Sequence, residues 1–571
     1  MRARATLTLA CVAVAFAAAD TYVVVLALPE MMAGAGLNID ELQRAAPIVS
    51  GFLLGYVAML PLVGRVADLS GRVPVLVFSL VVFAFGSLVT AVADDLTTMV
   101  VGRFLQGVGG GGLVPATLAL VADTWPAERR GVPLGVVGAV QELGSVLGPL
   151  YGALVLALWP WPAIFWINLI VGLTLAAAIR TVGGTRTLSP APDWPGVGLL
   201  LVAVTAFVLL LLAPHSLVTD VTLGLAWVPL AGTSWWLTPL ALITLGAVAA
   251  FVVRQLSVPR PMLDLRRVTH LAPRTDLVGA ALLSLALAGI VLAFATADPE
   301  VAVFSRLGPW YLAGSAVAAA GFALRQRRAV HPLVPRGALA ARPAWGALLV
   351  SFFVGAALIA ALVDVPIFAR VTVYPDSQLG AALVLLRFLV ALPIGALIGG
   401  FLVGRFSAAL VTAAGMTLSA TAFVAMTGWD QTAIDGFGAG AVLVVCGLGF
   451  GLAIAPVNAA LLAATDTAVH GVSSALVVVA RMVGMLIGIS ALTTLGLARF
   501  YAVVDTIPSP QTLCPDDPSR CPAYLDAVRE AGLVQLHTVF AGAAGCALIA
   551  AALAAVLLRQ ERFNRTESAP G

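Results

Sequence analysis

The sequence predicts an all-α polytopic membrane protein. Of the 571 residues, 61% are hydrophobic and 10% are charged, whereas a typical soluble domain has about 25% charged residues. The mean hydropathy is +1.04, and apolar segments recur from one end of the chain to the other. So few charges cannot cover a water-exposed surface. The composition therefore excludes soluble enzymes, nucleic-acid-binding proteins and proteins with a single membrane anchor.

Sixteen apolar segments are long enough, or nearly so, for a membrane span, which takes about 20 residues. An even number of spans places both termini on one side. Residues 1–19 also resemble a cleavable signal peptide, but the apolar run resumes after Asp20, which favours an uncleaved first span. The shortest segments are 163–180 and 309–325. The spans are 6–28, 46–66, 74–93, 98–121, 132–157, 163–180, 195–213, 234–254, 276–297, 309–325, 344–368, 378–403, 408–428, 438–463, 471–500 and 533–558.

The arginines predict the orientation of these spans. All 31 basic residues are arginine. With the N-terminus in the cytoplasm, about 22 of them lie in cytoplasmic segments and about 6 in outer segments. This bias predicts a multi-pass protein of the bacterial inner (plasma) membrane with both termini cytoplasmic.

Two internal repeats divide the chain. Six spans repeat as six spans, because three glycines recur about 340 residues later (Gly131, Gly144 and Gly148 as Gly471, Gly484 and Gly488). Two similar hairpins lie between the halves, and we expect them to be peripheral. Parallel halves form transporters with a site between them. The predicted domains are 1–185, the two hairpins with cytoplasmic linkers in 186–342, the second half 343–560 and a cytoplasmic tail 561–571.

Three motifs resemble signatures of the major facilitator superfamily. The loop after span 2 reads Gly64-Arg-Val-Ala-Asp68-Leu-Ser-Gly71-Arg72, and span 4 opens with Arg103-Phe-Leu-Gln106-Gly107. Span 5 contains the antiporter-like motif of Gly144, Gly148, Pro149 and Gly152. The resemblance implies that Gly64, Asp68, Gly71 and Arg72 form a conformational latch. Leu69 departs from the pattern, since the superfamily usually has a basic residue there.

Span 1, with Ala19-Asp20-Thr-Tyr-Val-Val-Val, is similar to the fourteen-span drug:proton antiporters. Together with Gln141-Glu142, Phe165-Trp-Ile-Asn168 and Val479-Ala-Arg481-Met, it resembles the mycobacterial exporters of drugs and triacylglycerides, over roughly 1–180 and 344–560. That resemblance implies a periplasmic lipid-carrying lipoprotein as partner. Two features depart from it: a second inserted hairpin, and a short segment between spans 13 and 14.

Six charged residues lie at least four residues from either end of a span: Asp20, Arg103, Glu142, Asp364, Arg387 and Arg481. Such residues are costly in a membrane and face the bundle interior or a cavity. The protonation of a carboxylate depends on whether an arginine lies beside it. We therefore predict that Asp20, Glu142, Arg103 and Asp364 couple transport to protons, and that Arg481 and Arg387 are charges of the central cleft. The alternative is that these groups form structural ion pairs.

Cys514 and Cys521 flank six residues in the outer loop between spans 15 and 16. A disulfide is expected outside the cytoplasm; the alternative is two free thiols. The flanking helices should each have about 35 residues, or about 50 Å, which exceeds the bilayer. We expect a projecting pair that guides a lipid or docks a partner; the alternative is a solvated loop with frayed ends.

These observations predict a monomeric, proton-coupled exporter of amphipathic drugs or lipids such as triacylglycerides, working by alternating access. It should not be an enzyme, should bind no metal or nucleic acid, and should use the proton motive force rather than a cofactor. One alternative is a facilitator that imports a small solute, which would lack the span 5 motif. The other is a membrane acyltransferase, supported by His215 and Asp220 alone, which match a His-x4-Asp pattern.

Overall fold

The computed structural model describes residues 2–37, 42–183, 193–232, 234–258, 266, 275–295, 305–374, 377–515 and 521–559. Sixteen helices of at least 19 residues lie within these ranges, and each overlaps one predicted span. They are α1 Arg2–Gly34, α2 Leu42–Ser70, α3 Arg72–Ala91, α4 Leu96–Thr124, α5 Gly131–Leu158, α6 Pro162–Val182, α7 Trp194–Leu212, α8 Pro239–Ser257, α9 Leu277–Ala295, α10 Gly308–Arg328, α11 Arg342–Val371, α12 Gln378–Leu402, α13 Ala408–Met426, α14 Phe437–Ala463, α15 His470–Val504 and α16 Pro522–Leu557.

Fourteen of these helices are long and apolar enough, over their described residues, to cross a membrane. The other two are α5, some of whose side chains lie outside the described set, and α10, which begins with Gly-Pro-Trp-Tyr and ends with three arginines. Segment 309–325, one of the two shortest predicted spans, corresponds to α10.

Polar caps define several helix starts. Asp95 accepts a hydrogen bond from the amide of Thr98 at the start of α4, and Ser377 and Ser407 do the same at α12 and α13. Each cap provides a partner for an amide that the first helical turn leaves unpaired, which matters more where water is scarce.

The two six-helix halves, α1–α6 and α11–α16, share their main helix contacts, although α16 packs more closely on α11 and α15 than α6 does on α1 and α5. In the first half α1 packs on α5, α2 on α4, and α3 on both α4 and α6. In the second, α11 packs on α15, α12 on α14, and α13 on both α14 and α16. The predicted sequence repeat thus corresponds to a repeat of helix contacts.

Glycines permit the corresponding α1–α5 and α11–α15 contacts. A Cβ atom on Gly148 would lie 2.5 Å from the carbonyl oxygen of Ala19, and one on Gly488 would lie 2.6 Å from Cα of Ala356. Gly144 and Gly484 are equally crowded against α1 and α11. Larger residues at these four positions would force the helices apart. The side chain of Pro149 lies outside the described residues.

Each inserted hairpin is joined by an ion pair at its base. Arg254 Nη2 lies 2.7 Å from Asp193 Oδ1 between α7 and α8, and Arg325 Nε lies 3.0 Å from Asp276 Oδ1 between α9 and α10. The Arg254 hydrogen bond holds the pKa of the Asp193 carboxyl below its usual value.

The two hairpins differ in their contacts with the halves. Helix α9 packs against α2 of the first half and α15 of the second. Its Ser284 hydroxyl donates to the carbonyl of Ala58 at 2.6 Å, and its Val291 is fully buried. The expectation that both hairpins are peripheral is therefore wrong for the second. Its angular position around the bundle depends on side-chain packing that chain order does not reveal.

Helices α15 and α16 have 35 and 36 residues, which gives each a length of about 53 Å at 1.5 Å per residue. Beyond them a disulfide joins Cys514 to Cys521, with an S–S distance of 2.04 Å and Cα atoms 5.6 Å apart. We call this end of the bundle the disulfide end and the opposite one, where α2 meets α3, the Asp68 end.

Candidate functional site

A central cavity of about 240 Å³ lies between the two halves, at mid-height and towards the disulfide end. Helices α1, α2, α4 and α5 line it from the first half, and α11 and α15 from the second. Most of the lining is apolar; the lining side chains that carry charge are Arg103, Glu142 and Arg481. Such a surface suits an apolar or amphipathic molecule better than a sugar or an amino acid.

Glu142 and Arg481 face each other across this cavity. Glu142 Oε1 on α5 lies 3.8 Å from Arg481 Nη1 on α15, and both side chains are about one-tenth exposed. The contact joins the two halves about ten residues in from the first residues of α5 and α15. It is a long ion pair that a small movement of either half would break or tighten.

A second charged cluster lies within the first half. Asp20 Oδ2 on α1 is 2.7 Å from Arg103 Nη1 on α4, with both side chains almost fully buried. The other carboxylate oxygen accepts a hydrogen bond from Asn168 Nδ2 on α6 at 2.5 Å. Arg103 also donates to Gln106, whose amide donates to the hydroxyl of Ser87. Four helices are thereby tied to one carboxylate.

Arg103 connects this cluster to the cavity. It lines the cavity wall, and its guanidinium carbon lies 4.5 Å from the ring centre of Phe52. Its Nε also lies 3.4 Å from the carbonyl oxygen of Ile48. A ligand in the cavity can therefore touch the arginine that pairs with Asp20, while Asp20 itself is not among the lining residues.

At the Asp68 end the halves are joined by the predicted latch residues. The two oxygens of Asp68 accept hydrogen bonds from the amides of Gly471 and Val472, at 2.8 and 3.0 Å. Those amides belong to the first turn of α15, where the helix dipole favours a negative charge. Arg72 lies 2.8 Å from Asp68 and 3.1 Å from Asp123.

Close backbone contacts reinforce this end. A Cβ on Gly64 would lie 2.6 Å from the carbonyl oxygen of Gly471, and α5 meets α12 where Gly131 faces Gly400. Gly71, after the end of α2, has φ +95°, a conformation that favours glycine. The central cleft is thus closed at the Asp68 end.

Asp364 and Arg387 do not line the central cavity. Asp364 is buried in the second half beside Ala361, Val365 and Phe368, and among the described residues it has no ion pair or hydrogen-bond partner. Arg387 is exposed on α12 next to Gly440. The prediction of Arg387 as a cleft charge is therefore wrong: its position along the span was estimated, but not the direction its side chain takes.

The residues that sequence reasoning missed are the neutral partners of Asp20. Asn168 and Gln106 lie within the sequence motifs, but neither is among the predicted site residues. Both are completely buried. A buried amide in an apolar span needs a partner, so their polarity within spans 6 and 4 was a usable signal.

The two residues that match the acyltransferase pattern, His215 and Asp220, do not form a catalytic site. His215 and Asp220 are exposed, and Asp220 accepts hydrogen bonds from the amides of Thr222 and Leu223 in its own turn. The Leu223 hydrogen bond holds the pKa of this carboxyl below its usual value. No group of three metal-ligating side chains occurs within the described part of the chain.

Comparison with known proteins decides the family. Residues 10–325 match the Major Facilitator Superfamily. The chain belongs to this superfamily. It is a multi-pass membrane transporter and not an enzyme. Over 97% of its length it also superposes on the human organic anion transporter MFSD10, covering 99% of that protein, with a TM-score of 0.53 and 15% identity, which shows a shared fold.

Several curated relatives cover most of the chain. A triacylglyceride transporter of Mycobacteroides abscessus is 37% identical over 505 residues, 87% of this chain and 82% of that protein. Another, from Mycolicibacterium smegmatis, is 36% identical over 95% of this chain and 85% of its own length. A third, from Mycobacterium tuberculosis strain H37Rv, is 36% identical over 86% of this chain and 82% of its own length.

Proposed function

We propose that this protein exports triacylglycerides and related apolar or amphipathic molecules across the bacterial inner membrane, in exchange for protons. The substrate class rests on the apolar lining of the central cavity and on similarity to transporters named for triacylglycerides. The single observation that carries the coupling is the Glu142–Arg481 contact, because it joins the two moving halves inside the cavity.

The arginine distribution supports assigning the Asp68 end to the cytoplasm. The structure then corresponds to an outward-facing form, in which the cleft is closed at the cytoplasmic end. In the inward-facing form the Asp68–α15 contacts would separate, and the cavity would open to the cytoplasm and to the core of the membrane. Alternation between these forms moves the substrate outwards without any covalent step or cofactor.

Proton coupling would follow from protonation and deprotonation of Glu142 and Asp20, each of which lies beside an arginine. With Glu142 ionised, its attraction to Arg481 at 3.8 Å is up to about 4 kcal/mol at an effective dielectric constant of about 20. A proton on Glu142 removes this attraction and lets the halves reorient. Asp20 would act similarly through Arg103, which a bound substrate touches. Energy would then come from the proton gradient alone.

The projecting ends of α15 and α16 support a lipid as the natural substrate. Each helix exceeds the roughly 30 Å hydrocarbon core by about 20 Å, and the disulfide closes the loop between them. This pair would guide a lipid away from the outer leaflet and dock a periplasmic lipid-carrying lipoprotein. Each transporter would act as a monomer, since one chain contains both halves.

Transport into inside-out vesicles tests this proposal. Vesicles containing the wild-type protein should accumulate a fluorescent triacylglyceride analogue when acidified inside. Asp20→Asn and Glu142→Gln should be present at normal abundance and lose the gradient-driven component. The control is Glu128→Gln, which removes a carboxylate charge from an exposed side chain. Full gradient-driven transport by both variants would contradict the proton role.

A further inference from the structure

A second, smaller cavity lies directly below the Glu142–Arg481 contact, on the side of the Asp68 end. It has a volume of about 30 Å³, enough for about two water molecules. Arg481 and Gln141 line both this cavity and the central one. The smaller cavity therefore adjoins the Glu142–Arg481 pair on the side of the Asp68 end.

The small cavity is polar on one side. Ser351 of α11 and Asn458 of α14 line it together with Gln141. The Asn458 amide nitrogen donates to the carbonyl of Ile454 at 3.0 Å, but its Oδ1 is buried without a hydrogen-bond partner. A buried acceptor of this kind is normally satisfied, and in a cavity of this size the available partner is water.

Two further polar groups lie beyond this cavity on the face of α15 that carries Arg481. Ser474 and His470 are seven and eleven residues before Arg481 and share its face of the helix, with the apolar Val477 between Ser474 and Arg481. The Ser474 hydroxyl and His470 Nδ1 are buried and have no hydrogen-bond partner among the described residues. His470 Nε2 contacts the carbonyls of Leu462 and Thr465, both at 3.1 Å.

The face ends among charges at the Asp68 end. Arg130 and Asp123 lie close enough to His470 to interact with it electrostatically. Asp123 is 42% exposed and pairs with Arg72, so this end is in contact with water. Among the described residues, the first half has no such face. Its nearest polar residue to the repeat counterpart of Asn458 is Thr117 of α4, which is shifted by one residue. Thr117 does not line the cavity, and its hydroxyl donates to the carbonyl of Leu113.

We infer that the cavity lined by Gln141, Ser351 and Asn458 holds ordered water that relays protons between Glu142 and the Asp68 end, along the Ser474–His470 face of α15. This inference rests on the proposed proton coupling. It adds Asn458 as a positioning residue, which binds the water and touches neither Glu142 nor the exported molecule. A proton would reach Glu142 from the disulfide end through the central cavity in the outward-facing form. It would leave through the small cavity only when the halves begin to reorient, so that the two routes are never open together.

Asn458→Leu tests the route, since it keeps the branched shape and the number of side-chain heavy atoms, removes the acceptor and places a methyl group where the water would bind. In proteoliposomes containing a pH-sensitive dye and a fluorescent triacylglyceride analogue, proton release should be at least about tenfold slower than in wild type. Asn458→Ser, which still binds water, should remain within about twofold of wild type, and Thr117→Val should leave the rate unchanged. Ser351→Val, which fills the same cavity from α11, provides a second blocked variant should Asn458→Leu fail to fold.

A high-resolution structure of the wild-type protein provides an independent readout. It should show water within hydrogen-bond distance of Asn458 Oδ1, and Asn458→Leu should lack that density. A well-folded Asn458→Leu with wild-type proton release, or a dry cavity in wild type, overturns the route alone. Wild-type protein that moves substrate without moving protons overturns the proposed coupling and the route with it.

Discussion

Replacing Asp68 by asparagine should open the bundle at the Asp68 end. The carboxylate accepts two amide hydrogen bonds from the start of α15, at 2.8 and 3.0 Å, and pairs with Arg72 at 2.8 Å. A hydrogen bond to a charged group contributes about 1.5–3 kcal/mol. Because the asparagine oxygen can still accept one of the two bonds, we expect a net loss of about 2–4 kcal/mol.

That loss predicts a measurable shift between the two forms. A change of about 2–4 kcal/mol alters their ratio roughly 30-fold to several hundredfold. If about 1% of the wild-type protein is open at the Asp68 end, roughly a quarter or more of Asp68→Asn should be open. At the upper end of this range the outward-facing state would become the minority form, and across the whole range the transport cycle would slow.

Pulsed electron–electron resonance measures these populations. Spin labels at Val132 and Phe406, which are both about half exposed and lie on opposite halves at this end, would be introduced with the three free cysteines replaced by serine. Asp68→Asn should add a longer distance absent from wild type. Glu128→Gln, exposed at the same end, should not. An unchanged distance distribution in Asp68→Asn would refute the latch.

Three further predictions concern the hairpins, the disulfide and the glycine contacts. Deleting α7–α8 as a unit should leave partial transport, whereas deleting α9–α10 should abolish it, because α9 contacts both halves; vesicle transport at equal abundance compares them. Cys514→Ser with Cys521→Ser should leave the bundle folded and reduce lipid transfer more than efflux of a small drug, measured side by side. Gly148→Val should lower stability by about 1–3 kcal/mol through overpacking against α1, seen as a lower Tm than for Gly438→Val, where the space around the glycine is open.

A specific experimental result would contradict each of these three predictions. Equal losses from the two hairpin deletions would show that α9 has no special place between the halves. Free thiols in the non-reduced protein would remove the basis for the disulfide prediction, and equal effects on drug and lipid transport would remove the guiding role. A Gly148→Val protein as stable as the Gly438→Val control would show that α1 and α5 can separate at little cost.

The sequence predicted those features that depend on position along the chain. The lengths of the apolar segments predicted the sixteen helices. The bounds expected for the last two, about 471–505 and 521–558, agree with His470–Val504 and Pro522–Leu557. The glycine repeat indicated matching halves, and the depth of Glu142 and Arg481 indicated opposite walls of one cleft. The proton, drug and partner assignments remain predictions.

Features that depend on angular position could not be predicted in the same way. Arg387 lies on the same exposed face of α12 as Leu383, Val390 and Ile394, yet its depth in the span resembles that of a cleft residue. A uniformly apolar helix has no polar face to reveal its rotation. The same limitation applies to α9, whose contact with α2 and α15 depends on packing between distant segments.

Counterflow of protons and lipid tests the central claim most directly. Purified protein in proteoliposomes, with a pH-sensitive dye inside and a fluorescent triacylglyceride analogue in the membrane, allows both movements to be recorded in one sample. The account predicts that a lipid gradient alone drives protons in the opposite direction through the wild-type protein, and that Glu142→Gln moves none. Lipid transport by the wild-type protein without proton movement, or equal proton movement by Glu142→Gln, would contradict it.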